Sequence, residues 1–114
     1  GFLYNKLYIY TSKNPLSSNW KALNSNPVID SNMFGRNAGL IQESKKNYRV
    51  SQAYLPGKYG AFISVSEILN ILKNKYKERK VKKNFTFPEK NIEGIHTLNY
   101  INNFTVFDYS KWVK

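Results

Sequence analysis

The chain has 114 residues, of which 41% are hydrophobic and 16% aromatic, enough for the core of one domain and too many for a disordered chain. It carries 18 lysines and arginines against 7 acidic residues, a formal net charge of +11 that favours anionic partners or a strongly solvated surface. The absence of cysteine excludes disulfides and thiolate metal sites, and one histidine, His96, cannot build a zinc site alone. No apolar run is long enough to span a bilayer.

The first third of the sequence alternates short strand-like runs with turns. Residues 3–11 are rich in tyrosine and isoleucine and predict a strand. A turn-rich link containing Pro15 follows, and then a short extended piece at 20–23. Asn26-Pro27 and the polar residues 30–32 mark a loop before the next strand.

The middle of the chain predicts an antiparallel unit of four strands. These strands lie at about 34–43, 47–54, 60–68 and 77–86. Turn signals at 44–47 and 56–58 join the first three strands. Apolar residues within 66–75 also fit a helical spacing, so a single helical turn is an alternative there. A four-stranded unit of this length has the size of one propeller blade.

Two further features complete the pattern. Strands are predicted at 95–101 and 104–109, linked by the turn Asn102-Asn103. The run from Lys73 to Lys83 alternates charged and bulky residues, which is typical of the solvated face of an edge strand protected by lysine.

An ordered series of motifs runs through these elements. The motifs are Ser17-x-x-Trp20, Asn26-Pro27-Val28, Arg36 to Gly39, Tyr48-Arg49-x-x-Gln52, Tyr59-Gly60, Glu67-Ile68, Gly94 to Leu98 and Val106-x-Asp108. In this order they resemble the five-bladed β-propeller proteins related to arabinanases, xylosidases and fructan-processing enzymes. The chain most resembles the propeller domain N-terminal to the glycosyltransferase in glucosamine inositolphosphorylceramide transferases, and its bacterial relatives. It departs from that family at 22–24, where histidine is frequent, and at Ala53, where aspartate is common.

The resemblance implies an all-β fold, a partial five-bladed β-propeller made of antiparallel four-stranded blades. Residues 1–33 would form the end of a preceding blade and a linking loop. Residues 34–87 would form one complete four-stranded blade, and residues 88–114 the start of the next. Because each blade stacks on its neighbours, we expect the chain to be the C-terminal part of a longer propeller, or to cover its faces by self-association.

The resemblance also implies a carbohydrate-related module that binds, or helps to process, a glycan or glycolipid. The candidate ligand-binding residues are Arg36, Arg49, Gln52, Tyr59 and His96. A buried arginine can bind a sugar hydroxyl, carboxylate or phosphate with two hydrogen bonds. It can equally be an internal strut that bonds main-chain carbonyls, with Gln52 completing the network, and His96 can equally be a core histidine.

Seven aromatic residues share the same two interpretations, stacking on sugar rings or packing within the core. They are Tyr8, Tyr10, Trp20, Tyr48, Tyr54, Tyr59 and Tyr100.

Catalysis is not assigned to this chain. Glycoside hydrolysis needs two carboxylates about 5–10 Å apart around the scissile bond. Glu67 is the best placed acid, but we expect it to be an acceptor between strands, and we expect Asp108 to form a turn. The sequence predicts no catalytic residue, metal or cofactor, although a complete propeller would be a glycosidase-like or glycosyltransferase-associated domain.

Two other functions stay open at this stage. The first is a structural or protein-interaction β module without a ligand. The second, which the sequence favours least, is a basic module that binds nucleic acid through the lysines at 73–83, because no nucleic-acid motif accompanies them.

Overall fold

The structure is a computed structural model that describes residues 5–53, 62–72, 75–81 and 92–111. Within these residues the chain forms ten strands and no helix, which confirms the all-β prediction. The strands are β1 (Lys6–Leu7), β2 (Tyr10–Thr11), β3 (Lys21–Ala22), β4 (Ile29–Asp30), β5 (Asn37–Glu43), β6 (Lys46–Gln52), β7 (Ile63–Leu72), β8 (Lys75–Val81), β9 (Ile92–Ile101) and β10 (Phe104–Lys111). The predicted turn at 56–58 lies outside the described residues.

The six longer strands form one sheet in the order β10-β9-β5-β6-β7-β8. Strands β5 to β8 are successive antiparallel neighbours, which is the meander that the sequence predicts. The hairpin β9–β10, expected to start a further blade, lies in the same sheet, with β9 parallel to β5. The described residues show no closed propeller, so the blade assignment and the divisions 1–33, 34–87 and 88–114 stay predictions.

Gly39 allows β9 to lie against β5. Its φ is +144°, and a β-carbon at this position would stand 2.0 Å from the carbonyl oxygen of Leu98. Next to it, the main-chain N–H of Leu40 donates a 3.0 Å hydrogen bond to Oδ1 of Asn99 on β9. The Arg-Asn-Ala-Gly motif therefore ends in glycine because the backbone of β9 passes where a side chain would stand.

Two-residue turns close both hairpins next to β5. Ser44 and Lys45 join β5 to β6 with φ values of 51° and 61°. Asn102 and Asn103 join β9 to β10 with φ values of 50° and 66°. Positive φ at both central residues is the type I′ geometry, whose twist matches that of the strands it connects. Both predicted turn positions are confirmed.

Strand β7 is longer than the sequence predicts. It continues as strand to Leu72 and pairs with β8, with a register shift between Ile68 and Asn70. The helical turn considered for residues 66–75 is therefore wrong over residues 66–72. The apolar residues there fit a helical spacing only because the register shift displaces the alternation of the strand by one residue.

The hydrophobic core lies on one face of the sheet. Its buried residues are Ala38, Ile41, Val50, Val65 and Leu98, against which Tyr48, Ile63, Val81, Tyr100 and Phe107 pack. The tyrosines of β6 and β9, Tyr48 and Tyr100, are partly buried and pack against this core.

The segment before β5 lies against the opposite face. It contains two small ladders, β1 with β4 and β2 with β3. The side chain of Asn26 joins the segment together, because its Oδ1 accepts the N–H of Ile9 at 2.9 Å and its Nδ2 donates to the carbonyl of Ile9 at 2.8 Å. Gly35 is equally confined, since a β-carbon there would lie 1.8 Å from the carbonyl oxygen of Asn5.

Candidate functional site

Arg49 lies at the centre of a buried ion-pair cluster. Its side chain is only 6% exposed and meets Glu78 of β8 in two hydrogen bonds, Nε to Oε2 and Nη2 to Oε1, both 2.8 Å long. Nη2 also donates to the carbonyl oxygen of Phe34 at 2.6 Å. The hydroxyl of Tyr76 donates to Oε2 of Glu78 at 2.5 Å. These contacts tie β6 to β8 and to the N-terminal segment, as an internal strut would.

The cluster is charged although burial opposes its charges. Burial alone would lower the pKa of Arg49, but the hydrogen bonds and charge of Glu78 raise it above its ordinary value. Burial would likewise raise the pKa of Glu78, and Arg49 and Tyr76 together hold it below the ordinary value. Burial and the neighbouring carboxylate raise the pKa of the Tyr76 phenol. At neutral pH the pair is therefore ionised beside a neutral tyrosine.

Glu67, on the core side of the sheet, is also paired, but with two exposed cations. Its Oε2 accepts a 2.5 Å hydrogen bond from Arg79, and its Oε1 lies 3.3 Å from the ammonium of Lys46. The hydrogen bond from Arg79 is the main cause that lowers the pKa of Glu67. Glu67 is thus the acceptor between strands that the sequence predicts. Neither Glu67 nor Glu78 has the raised pKa of a general acid.

Gln52 and Arg36 meet through the main chain. The buried amide of Gln52 donates from Nε2 to the carbonyl oxygen of Ile95 at 3.0 Å, and its main-chain N–H donates to the carbonyl of Arg36 at 3.0 Å. Arg36 itself is half-buried. Gln52 is three positions after Arg49 in the same strand, and an odd spacing places their side chains on opposite faces of the sheet. The structure does not bring these two candidates into one polar site.

His96 lies on the outer hairpin beside Asp108. Oδ1 of Asp108 accepts the main-chain N–H groups of His96 at 3.2 Å and Thr97 at 2.7 Å, and the Thr97 hydroxyl at 3.0 Å. Burial opposes its ionisation, but the bonds from Thr97 and the nearby His96 lower the pKa of Asp108. Asp108 is within β10 at a register shift, so the prediction that it forms a turn is wrong. Tyr59 lies outside the described residues.

A cleft of about 630 Å³ lies beside the ladder of β2 and β3. It is lined by Thr11, Ser12, Lys13, Ser17, Asn19, Trp20 and Lys21. Trp20 lines this cleft and is 49% exposed. Two residues of the Ser17-x-x-Trp20 motif thus line one concave surface.

The loop that forms this cleft is held by its own short polar side chains. The Ser12 hydroxyl donates to the carbonyl of Asn14 at 2.7 Å, and Oδ1 of Asn14 accepts the N–H of Leu16 at 3.0 Å. Farther on, the Ser17 hydroxyl oxygen accepts the N–H of Asn19 at 3.0 Å. Such local turns hold a loop in one conformation without a core.

A second cleft of about 400 Å³ lies between the N-terminal segment and the sheet. Tyr8 and Tyr10 line its outer side, and Arg49 and Tyr76 line it from the sheet. The Asn26–Ile9 bonds hold the segment that carries the two tyrosines. Asn26 therefore has a positioning role that the Asn-Pro-Val motif alone did not reveal.

Sequence reasoning undervalued two residues of these sites. Trp20 was one of seven aromatics with two open interpretations, although its short polar neighbours Ser17 and Asn19 were a sign of an exposed loop. Glu78 was assigned to a charged edge, whereas it faces inward to Arg49. The sequence does place Tyr76 and Glu78 two residues apart in one strand. Their side chains therefore share a face, which is the signal that Glu78 lies beside a bulky residue.

Comparison with known proteins gives no match: no family, no curated protein and no solved structure matches the chain. The described residues contain no group of three or more histidine or acidic side chains that could hold a metal ion. They also contain no helix with the length and apolar character of a membrane span.

Proposed function

We propose that this chain is a carbohydrate-related β module that binds a glycan or the glycan part of a glycolipid. The observation that carries the proposal is the half-exposed Trp20 in a cleft whose other lining residues are hydroxyl, amide and ammonium side chains. The family resemblance, which rests in part on Ser17-x-x-Trp20, supports the same class of ligand.

The chemistry of the cleft suits a sugar ring. A sugar presents an apolar face of C–H groups surrounded by hydroxyl groups, so it needs a flat apolar surface with hydrogen-bonding groups around it. Trp20 supplies the flat surface, and the Ser17 hydroxyl and the Asn19 amide supply donors and acceptors. The Ser12 hydroxyl, whose proton is bonded to Asn14, supplies an acceptor only. A concave site with few placed polar groups is the usual form of a small-ligand site.

Two of the candidate ligand-binding residues, Arg49 and Gln52, have a structural role in this proposal. Arg49 and Gln52 hold the sheet and its covering segment through buried hydrogen bonds. Their bonds are made within the protein, and direct contact with the glycan falls to residues around Trp20.

The alternative of a protein-interaction module is favoured by a different observation. The outer hairpin exposes Ile101, Phe104 and Val106 on one face. A patch of this kind marks an association surface in many proteins.

The proposal is tested by titrating oligosaccharides into the wild-type chain and into Trp20→Ala, with calorimetric detection. We expect Trp20→Ala to weaken binding by about fivefold to a hundredfold, since a ring stacked on an aromatic side chain contributes roughly 1–3 kcal/mol. Leu16→Ala is the matched control, since Leu16 is in the same loop, is 95% exposed and does not line the cleft. Equal glycan affinity of the wild type and Trp20→Ala, at unchanged thermal stability, would refute the proposal.

A further inference from the structure

The charges around the Trp20 cleft are of one sign. Lys13 and Lys21 both line it, and no acidic side chain does. Both lysines are exposed, and within the described residues neither forms an ion pair. Elsewhere a lysine in reach of an acid is paired, as Lys46 is with Glu67 at 3.3 Å. Two ammonium groups without a protein counter-ion thus flank the exposed indole.

The backbone fixes where these ammonium groups start. Lys21 is the cross-strand partner of Thr11 in the ladder of β2 and β3. Lys13 follows Thr11 by two residues, next to Ser12, whose hydroxyl closes the local turn. Both lysines therefore leave the backbone close to the same wall of the cleft, and their charges act on the same small volume.

We infer that the Trp20 cleft takes a glycan that carries a negative charge, as a sugar carboxylate, phosphate or sulfate. This inference rests on the proposed function, and it adds the ligand's charge to it. The indole binds the apolar face of the ring, and the ammonium groups of Lys13 and Lys21 donate charge-assisted hydrogen bonds to the anion. The net charge of +11 adds long-range attraction for such ligands.

The size of the effect follows from the exposure of the two lysines. An ion pair in water is weak and is screened by salt. We expect each lysine to contribute about two- to fivefold, and the pair about tenfold, to the affinity at low salt. The preference for a charged glycan should fall as salt is added, whereas stacking on Trp20 should persist.

The test compares charged glycans with their neutral forms. Trigalacturonate is titrated beside its methyl ester, and a phosphorylated mannose oligosaccharide beside its dephosphorylated form, which separates carboxylate from phosphate. The variants are Lys13→Gln/Lys21→Gln and the control Lys75→Gln/Lys77→Gln, which removes the same charge from β8, away from the cleft. We expect the wild type and the control to bind at least one charged glycan about tenfold more tightly than its neutral form, and the cleft variant to lose this preference.

Three results would overturn the inference. Equal binding of charged and neutral glycans, still dependent on Trp20, would overturn it and leave the proposed function standing. Loss of the preference in both double variants would assign it to overall charge and not to the cleft. A chain that binds no glycan through Trp20 would overturn the inference together with the proposed function.

Discussion

Arg49 and Glu78 are 29 residues apart in sequence and form a buried ion pair with two hydrogen bonds of 2.8 Å. Most polar atoms of the two side chains are hydrogen-bonded. Two bonds join the pair, Arg49 donates a third to the carbonyl of Phe34, and Glu78 accepts a fourth from the hydroxyl of Tyr76. Taking two ions out of water is costly, and only such geometry offsets the loss. Removing one partner leaves the other as an uncompensated buried charge, so the pair is more important to stability than its own attraction suggests.

We therefore expect Glu78→Gln to lower the free energy of unfolding at pH 7 by about 3–5 kcal/mol. The pKa of Glu78 is below its ordinary value of 4.5 in the folded chain, so its contribution is present above pH 4.5 and is lost as pH falls through the folded pKa. The variant should accordingly lose less stability on acidification than the wild type. Urea unfolding between pH 7 and pH 3 measures both effects.

Glu67→Gln is the matched control for this prediction. It removes the same charge, but its partners Arg79 and Lys46 are exposed, so water takes over their solvation. We expect a clearly smaller loss of stability from this variant. Equal losses from the two substitutions would show that burial of the Arg49 pair has no special consequence.

The contact also shows what could be predicted at this scale. The alternation of Tyr76 and Glu78 within the basic run indicates that one side of β8 differs from the other. The partner could not be predicted, because it depends on strand order and on the register shift in β7. Arg49 was correctly chosen as a buried arginine, but whether it bonds a ligand or the protein itself depends on that distant carboxylate.

At the scale of the elements, β9 can lie against β5 because Gly39 has no side chain. Gly39 faces the carbonyl of Leu98, and the next residue, Leu40, is bonded to Asn99. The sheet is thereby extended beyond the meander by a hairpin whose strand runs parallel to β5. A substitution at Gly39 should therefore affect the hairpin before it affects the meander.

We expect Gly39→Ala to destabilise the chain by more than about 1 kcal/mol, since the added methyl group has no space and φ is positive. The amide of Leu40 should lose its protection against hydrogen exchange more than the amides of β6 and β7. Leu40→Ala is the control, because it trims a partly exposed side chain and keeps the amide bonded to Asn99. Uniform loss of protection over all strands would contradict the local role of Gly39.

The elements themselves were largely predictable. The strands predicted at 34–43 and 47–54 appear as β5 and β6, because turn-forming sequence fixes both ends. The bounds of β7 and β8 were less well predicted, since the apolar residues of 66–72 lose their simple alternation at the register shift. β4 was not predicted at all, because a two-residue ladder depends on its partner β1 and not on its own composition.

At the scale of the whole molecule, the two edges of the sheet have opposite character. β8 presents Lys75, Lys77 and Lys80 to water, which protects an edge from pairing with another chain. β10, at the other edge, exposes Phe104 (73%) and Val106 (65%). The lysine-rich run matches the solvated-edge interpretation of the sequence. The apolar edge could not be recognised beforehand, because its residues have the same alternation as a strand with a buried face.

The exposed edge predicts self-association of the chain through β10. We expect the wild type at about 100 μM to sediment partly as a dimer or larger species, and Val106→Lys to remain a monomer, since a lysine in the middle of an edge strand prevents pairing. Added salt should strengthen the association, because the net charge of +11 repels a second copy and salt screens that repulsion. Analytical ultracentrifugation at low and moderate salt measures both.

Leu16→Lys makes this test specific to the edge. It adds the same charge at a side chain that is 95% exposed but isolated in a loop. If Leu16→Lys reduces association as much as Val106→Lys, the effect comes from total charge and β10 is not the contact. If only Val106→Lys does so, and glycan binding through Trp20 is unchanged, association and ligand binding use different surfaces: the edge of the sheet for the copy, and the loop beside β2 and β3 for the sugar.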